Sequence, residues 1–227
     1  VTDGKLLYVA FADVEDYILN AYDFDGNLVW RTDVGGFHSQ HNLGVSLMLF
    51  EDTVIVPNDQ RGPARVVALD KHTGELLWEN AVVSEGVLHG SWTNPAYAEI
   101  NGRGQVIVPG GNGIIYSLDA TTGEVIWQFD CNPKDSEWIL GGRGTRNNIL
   151  STPVIYDNKV YIGVGQDPEH GEAPGHFYAI DATGTGDVTD THTVWSRDGD
   201  NFYRTMSTAA IADGVLYISS LSGFLHA

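Results

Sequence analysis

The densest set of groups able to bind or move charge is Asp167-Pro-Glu169-His170-Gly-Glu172-Ala-Pro-Gly-His176. Two imidazoles and three carboxylates supply the nitrogen and oxygen donors a divalent metal takes, which makes Asp167, Glu169, His170 and His176 candidate ligands. The spacing matches no standard metal motif, and the interleaved Pro and Gly forbid a helical His pair. A solvated acidic loop pinned by its own hydrogen bonds is the other reading. Gly141-Gly-Arg143-Gly-Thr-Arg146-Asn147-Asn148 joins glycines, which free backbone N–H groups, to two guanidinium forks suited to carboxylate or phosphate. It lacks the Lys-Ser/Thr ending and following helix of a phosphate-binding loop, so it reads as an ordered connection or as an anion or sugar contact. His38-x-x-His41 has metal-compatible spacing, but nothing adjacent completes a set. No Gly-x-Ser-x-Gly elbow occurs, and no catalytic triad or glycosidase-type acid pair can be singled out.

These residues sit in a chain of 227, with 30 Asp plus Glu against 12 Lys plus Arg and a net charge of −18. That balance excludes a general nucleic-acid or anionic-membrane binder, since phosphate binding draws on clustered cations. A hydrophobic fraction of 42% excludes a disordered acidic tail. A single cysteine, Cys131, allows no internal disulfide, and there is no apolar run long enough for a membrane helix. The start at Val1, without Met or a leader, is what a processed protein or an excised fragment would show. The acidic surface fits a periplasmic or extracellular bacterial protein.

The elements that must position the candidate residues are set by a repeat. Ala21-Tyr-Asp23-Phe-Asp-Gly26-Asn-Leu-Val-Trp30, Ala68-Leu-Asp70-Lys-His-Thr-Gly74-Glu-Leu-Leu-Trp78 and Ser117-Leu-Asp119-Ala-Thr-Thr-Gly123-Glu-Val-Ile-Trp127 align. A stretched copy runs from Ala179-Ile-Asp181 to Val194-Trp195, and the Trp spacings are 48, 49 and 68. Each unit reads as four short strands, A to D, rich in Val, Ile and Tyr and bounded by Gly, Asn and Asp. No stretch carries helical apolar spacing. Four short antiparallel strands per repeat compose a β-propeller blade, so the expected fold is all-β, with blades at 45–78, 91–127 and 150–195 and partial ones at 1–30 and 206–227. In the last unit, strand A is expected over Met206 to Ile211. Between strands C and D, the Asp is expected to accept backbone N–H bonds and the Gly to take φ > 0. Trp30, Trp78, Trp127, Trp195, Asp70, Asp119, Gly74 and Gly123 are therefore read as structural: they hold blades together.

The pattern Ala-x-Asp-x-x-Thr-Gly-Glu-x-x-Trp, complete at 68–78 and nearly so at 117–127, resembles the tryptophan-docking repeat of quinoprotein alcohol dehydrogenase-like propellers, the PQQ-like repeat family. The resemblance covers essentially the whole chain. The chain is also similar to the propeller lipoprotein of the outer-membrane β-barrel assembly machinery. Gly142-Arg-Gly-Thr-Arg-Asn-Asn148 and Gly165-Gln-Asp-Pro-Glu-His-Gly171 resemble stretches of uncharacterised secreted propellers of planctomycete-type bacteria. The family implies a ring of seven or eight blades, of which this chain would supply an incomplete part. Its quinone-using members carry adjacent cysteines ringed over pyrroloquinoline quinone (PQQ) and a Glu, Asn and Asp set around calcium. The lone Cys131 departs from that pattern, so no quinone or calcium residue is carried over.

In a propeller, D–A and B–C connections share one face and A–B and C–D turns the other. The fourth unit is enlarged mainly on the first face. Trp127 to Pro153 is 26 residues against 17 for Trp78 to Pro95, and Pro153 to Ala179 is 26 against 22 for Pro95 to Ser117. The C–D turn also grows, with Asp181 to Trp195 at 14 against 8 for Asp119 to Trp127. Long loops on a rigid scaffold are where function tends to sit. That face is expected to gather His38, His41, His89, Trp92, Trp138, Arg143, Arg146, Asn147 and Asn148, together with Asp167, Glu169, His170, Glu172 and His176 and then Tyr203 and Arg204. The expected function is a non-catalytic module holding a partner protein or extracellular carbohydrate there. The alternatives are part of a PQQ-dependent alcohol or sugar dehydrogenase and, below that, a polysaccharide lyase or hydrolase.

Overall fold

The computed structural model describes residues 1–39, 43–81, 87, 92–137, 139, 145–165 and 174–227. Among them there is no helix; the chain forms five sheets in sequence order. The first holds β1 (Leu7–Ala12), β2 (Tyr17–Tyr22) and β3 (Leu28–Asp33). The second holds β4 (Met48–Phe50), β5 (Thr53–Asn58), β6 (Arg65–Asp70) and β7 (Leu76–Asn80). The third holds β8 (Ala96–Ile100), β9 (Arg103–Pro109), β10 (Ile114–Asp119) and β11 (Val125–Asp130), with β15 (Gly186–Asp187) added at its edge. The fourth holds β12 (Val154–Tyr156), β13 (Lys159–Val164), β14 (Pro174–Asp181) and β16 (Thr193–Tyr203), and the fifth β17 (Ala210–Ala212), β18 (Val215–Ser219) and β19 (Leu225–His226).

The central strands read as continuous apolar runs because each inner sheet is covered on both faces. Val54 and Val56 of β5 pack toward the first sheet with Tyr8, Leu19 and Trp30, while Ile55 between them packs toward the third with Val106, Val108 and Leu118. Ile107 and Ile115 face the fourth sheet with Val160, Ile162 and Ile180. Phe177 and Phe202 then meet Ile218 of the fifth. Every sheet is thus sandwiched against the next in chain order, and four cores lie between five sheets.

Two kinds of turn close the hairpins. At the A–B turns Asn101-Gly102, Asp157-Asn158 and Asp213-Gly214 all have φ between 51° and 77°, the paired left-handed conformation that matches strand twist. At the C–D turns Asp70 Oδ1 accepts the amides of His72 and Thr73 at 2.8 and 2.9 Å, and Asp119 Oδ1 those of Thr121 and Thr122 at 2.9 and 3.0 Å. Gly74 and Gly123 take φ of 75° and 74° there. Trp30 lies on Gly74, where a Cβ would come within 2.6 Å of the indole, and its Nε1 donates to Lys71 O at 2.9 Å. Trp78 lies on Gly123 in the same way and donates to Ala120 O at 3.0 Å.

Three features depart from the sequence expectation. The residue before each Trp (Val29, Leu77, Ile126, Val194) is bulged out of the C–D pairing, for example with Ser117 opposite Trp127 and Leu118 opposite Val125. The enlarged C–D turn of the fourth unit contributes β15, which pairs in parallel with β11. Strand A of the fifth sheet is confined to Ala210–Ala212, which corrects the expected start at Met206 and leaves Met206 exposed in the connection. No helix among the described residues is long and apolar enough to cross a membrane.

Candidate functional site

The two ends of the sheets are organised differently. The A–B turns, and the C–D turns of the first three sheets, are short and close on themselves. Lys71 N–H donates to Asp52 O at 2.9 Å, and its ammonium lies 2.9 Å from the Asp52 carboxylate. Arg103 Nε reaches Asp119 at 2.6 Å, and Ala120 N–H donates to Gly104 O at 3.0 Å. Burial pushes the Asp119 carboxyl up, but Arg103 and the two turn amides outweigh it and hold the group below its ordinary value.

At the opposite end the D–A connections cross over the B–C turns. Chain there has few ladder partners, so its backbone groups must be satisfied by side chains. Buried amides do this. Asn58 Nδ2 donates to Val34 O at 3.2 Å, and Gln60 Nε2 donates to Gly36 O at 2.7 Å. Asn132 Nδ2 donates to Asn112 O at 3.0 Å, and its Oδ1 accepts Asn147 N–H at 2.7 Å. Asn147 Nδ2 reaches Cys131 O at 3.0 Å, and Arg146 Nε reaches Asn112 O at 2.9 Å. Asn148 bridges to Gly165 through the backbone, and Leu221 N–H donates to Arg204 O at 3.0 Å. A belt of side-chain amides therefore ties successive connections into one platform. Gly113 belongs to it: with φ of 81° and a Cβ position 2.6 Å from Asn132 Oδ1, no other residue fits.

One carboxylate among the described residues is enclosed in this belt. Asp59, in the B–C connection of the second sheet, accepts Gly111 N–H of the third at 2.6 Å through Oδ2, while Oδ1 has no partner. Desolvation raises its carboxyl to about 7, and the Gly111 bond only partly opposes this. Asn148 is also enclosed, with neither amide atom bonded. Burial likewise raises the Cys131 thiol. His176 is lowered by burial, with the Asp198 charge opposing, and it stacks on Tyr178 with ring centroids 6.0 Å apart.

The structure brings Arg146, Asn147 and Asn148 together with Asn112 and Asn132, and it turns the Asn147 and Asn148 side chains inward. Arg204 lies against Gly165 and Gly175, and Tyr203 is exposed beside it at the end of β16. Trp92 packs on Gly44, joining two D–A connections. His176 sits at the start of β14, opposite Asp198. His41, His89, Trp138, Arg143, Asp167, Glu169, His170 and Glu172 lie outside the described residues. Among the described residues no group of three or more His, Cys, Asp or Glu side chains is placed to hold a metal ion. Sequence reasoning passed over Asp59, Asn112 and Asn132, as well as the exposed Ile139 and Met206 on the same end. Their one legible signal is position, since Asn58 ends β5 with Asp59 and Gln60 after it, and Asn132 lies two residues past the end of β11.

Residues 14–227 match the family of the outer membrane protein assembly factor BamB. The chain belongs to that family. A curated relative, the outer membrane protein assembly factor BamB of Yersinia pestis, is 24% identical over 251 aligned positions, which take in 98% of this chain and 58% of the relative. Among solved structures, BamB from Moraxella catarrhalis has a TM-score of 0.69 at 18% identity, covering 99% of this chain and 58% of that one. The quinohemoprotein alcohol dehydrogenase ADHIIG from Pseudomonas putida HK5 has a TM-score of 0.65 at 19% identity, covering 99% of this chain and 39% of that one. The chain thus spans 58% of the length of the BamB proteins it matches. At these identities the solved structures establish the fold, a β-propeller of antiparallel sheets, and no more. The cysteine ring of the quinone enzymes does not fit this chain, whose one cysteine is enclosed and has no thiol neighbour.

Proposed function

We propose that the chain is a non-catalytic propeller module of an outer-membrane protein assembly factor, working in the periplasm and holding a partner protein on the end where D–A and B–C connections meet. The family match over residues 14–227 carries this reading. The choice of end is supported by the buried amides of Asn132 and Asn147, which fix the chain around them before a partner arrives and so lower the ordering cost of binding there. The exposed apolar side chains Ile139, Tyr203 and Met206 support it too, since aromatic residues and Met are enriched at interfaces. A protein is favoured over a carbohydrate because Asn147 and Asn148, which would have met sugar hydroxyls, are buried.

The test is genetic and biochemical. Deleting the gene in its source bacterium should lower the level of outer-membrane β-barrel proteins. The wild-type gene should restore it, and a Tyr203→Ala, Met206→Asp double variant should not. Unchanged outer-membrane protein levels after deletion would remove the assembly reading. Dye-linked turnover of an alcohol or sugar by the purified protein with PQQ and Ca²⁺ would remove the non-catalytic one.

A further inference from the structure

The outermost strands β3, β7 and β11 each open with an apolar pair followed by Trp, and one of these edges is filled by the chain itself. β15 lies along β11 in parallel, with Gly186 opposite Trp127 and Asp187 opposite Gln128. Val188 N–H donates to Gln128 O at 3.0 Å, and Thr189 Oγ1 accepts Asp130 N–H at 3.0 Å. The bulged Ile126 beneath this segment is 7% exposed and shares a core with Val188. The corresponding bulged residues of β3 and β7, Val29 and Leu77, are 48% and 52% exposed, and no described strand pairs with either outer edge.

The two open edges differ in charge at the place of Gln128, the residue after Trp. β3 has Arg31, exposed and without an ion-pair partner among the described residues. β7 has Glu79, which pairs with Arg65 at 3.3 Å. A segment like Asp187-Val188 would set its acid against Arg31 on β3 but against a carboxylate on β7.

We propose that the outer edge of β3 docks an extended segment of a partner protein in which an acidic residue precedes a β-branched one, added in parallel with the acid against Arg31 and the branched residue next along the edge, opposite Thr32. Backbone pairing supplies the attachment, and the cross-strand pair supplies the selection. This edge is separate from the D–A and B–C end, so the inference stands apart from the function proposed above.

The probe is a labelled peptide with the sequence of residues 183–191, Thr-Gly-Thr-Gly-Asp-Val-Thr-Asp-Thr, titrated into the full chain. Binding is followed by fluorescence anisotropy and located by amide hydrogen exchange. The expected result is saturable binding with slowed exchange in 28–33, weakened about tenfold by Arg31→Glu. A peptide carrying Val188→Pro, which lacks the donor N–H, should not bind. Arg31→Gln, which keeps the backbone edge and removes only the charge, should bind with intermediate strength. The proposal is overturned by no binding at millimolar peptide, by equal binding to Arg31→Glu, or by slowed exchange at β7 or β11 instead of β3.

Discussion

The junction between the second and third sheets and the junction between the third and fourth close similar gaps with different parts. At the first, Trp78 leaves its own sheet, lies on Gly123 and bonds Ala120 O, while Asn80 Nδ2 reaches Gly123 O at 2.6 Å. At the second, Trp127 stays within its sheet and donates to Gln105 Oε1 at 3.1 Å. No glycine of the lengthened turn lies against the indole face: Gly184 faces His192, and Gly186 meets Trp127 only through backbone pairing, with open space at its Cβ position. The backbone of β15 does the joining, helped by Thr189 and by an ion pair of Lys134 with Asp190 at 2.7 Å. A tryptophan kept in register by the repeat therefore need not keep its partner. The indole stays buried at Trp30, Trp78 and Trp127 while the backbone that covers it varies, and at Trp195 it is 37% exposed. A third case lies at Trp195, which stacks on Phe177 and under Arg197, 6.0 Å from its ring, and lines a cleft of about 900 Å³ with Leu216 and His226.

The contrast can be broken most severely at glycine. Gly123→Ala places a methyl inside the Trp78 contact and forces φ of 74° on an L residue, so urea denaturation should show a loss of about 3 kcal/mol. Gly186→Ala, with φ of 73° but open space around it, should lose only about 1 kcal/mol. Equal losses would mean that packing against Trp78 adds nothing to backbone strain.

Asp59 tests whether the B–C connections of neighbouring sheets are coupled. Its carboxyl ionises near 7 in the folded chain against 3.8 ordinarily, so the folded state holds a proton the unfolded state has lost. The resulting stability is complete below about pH 4 and declines as pH rises to about 7. Asp59→Asn should match the wild type near pH 4 and be more stable by about 1–3 kcal/mol at pH 8, by urea denaturation at both values. A difference that does not depend on pH would place the charge elsewhere.

At the second junction, where β15 and the residues after it form a strap along β11, Thr189→Val removes the acceptor for Asp130 N–H and should cost about 1 kcal/mol, with faster exchange at that amide. Lys134→Ala removes an ion pair exposed on both sides and should leave the melting temperature unchanged. A measurable drop would make the strap an electrostatic clasp rather than a backbone one.

Much of the fold was legible because strand period and turn chemistry are local. β2, β13 and β18 open directly after Asp16, Asn158 and Gly214, the residue types that bound the runs in the sequence. β15 was not legible: two residues, Gly186-Asp187, carry no apolar signal, and their pairing depends on an edge 59 residues away. The same holds at the candidate end. The sequence points to long connections, but Asn58-Asp59-Gln60 and Asn147-Asn148 have the composition of solvated loop. They are buried because adjacent connections stack over one another, which only the packing of whole sheets produces. Met206, expected at the start of a strand, lies instead in the exposed connection between β16 and β17.

Site-specific photo-crosslinking in living cells tests the central claim most directly. A photoreactive residue replaces either Met206, at the D–A and B–C end, or Glu124, at the opposite turns. The account expects a crosslink from position 206 to a protein of the outer-membrane assembly machinery and none from position 124. A crosslink from 124 with none from 206 would contradict it.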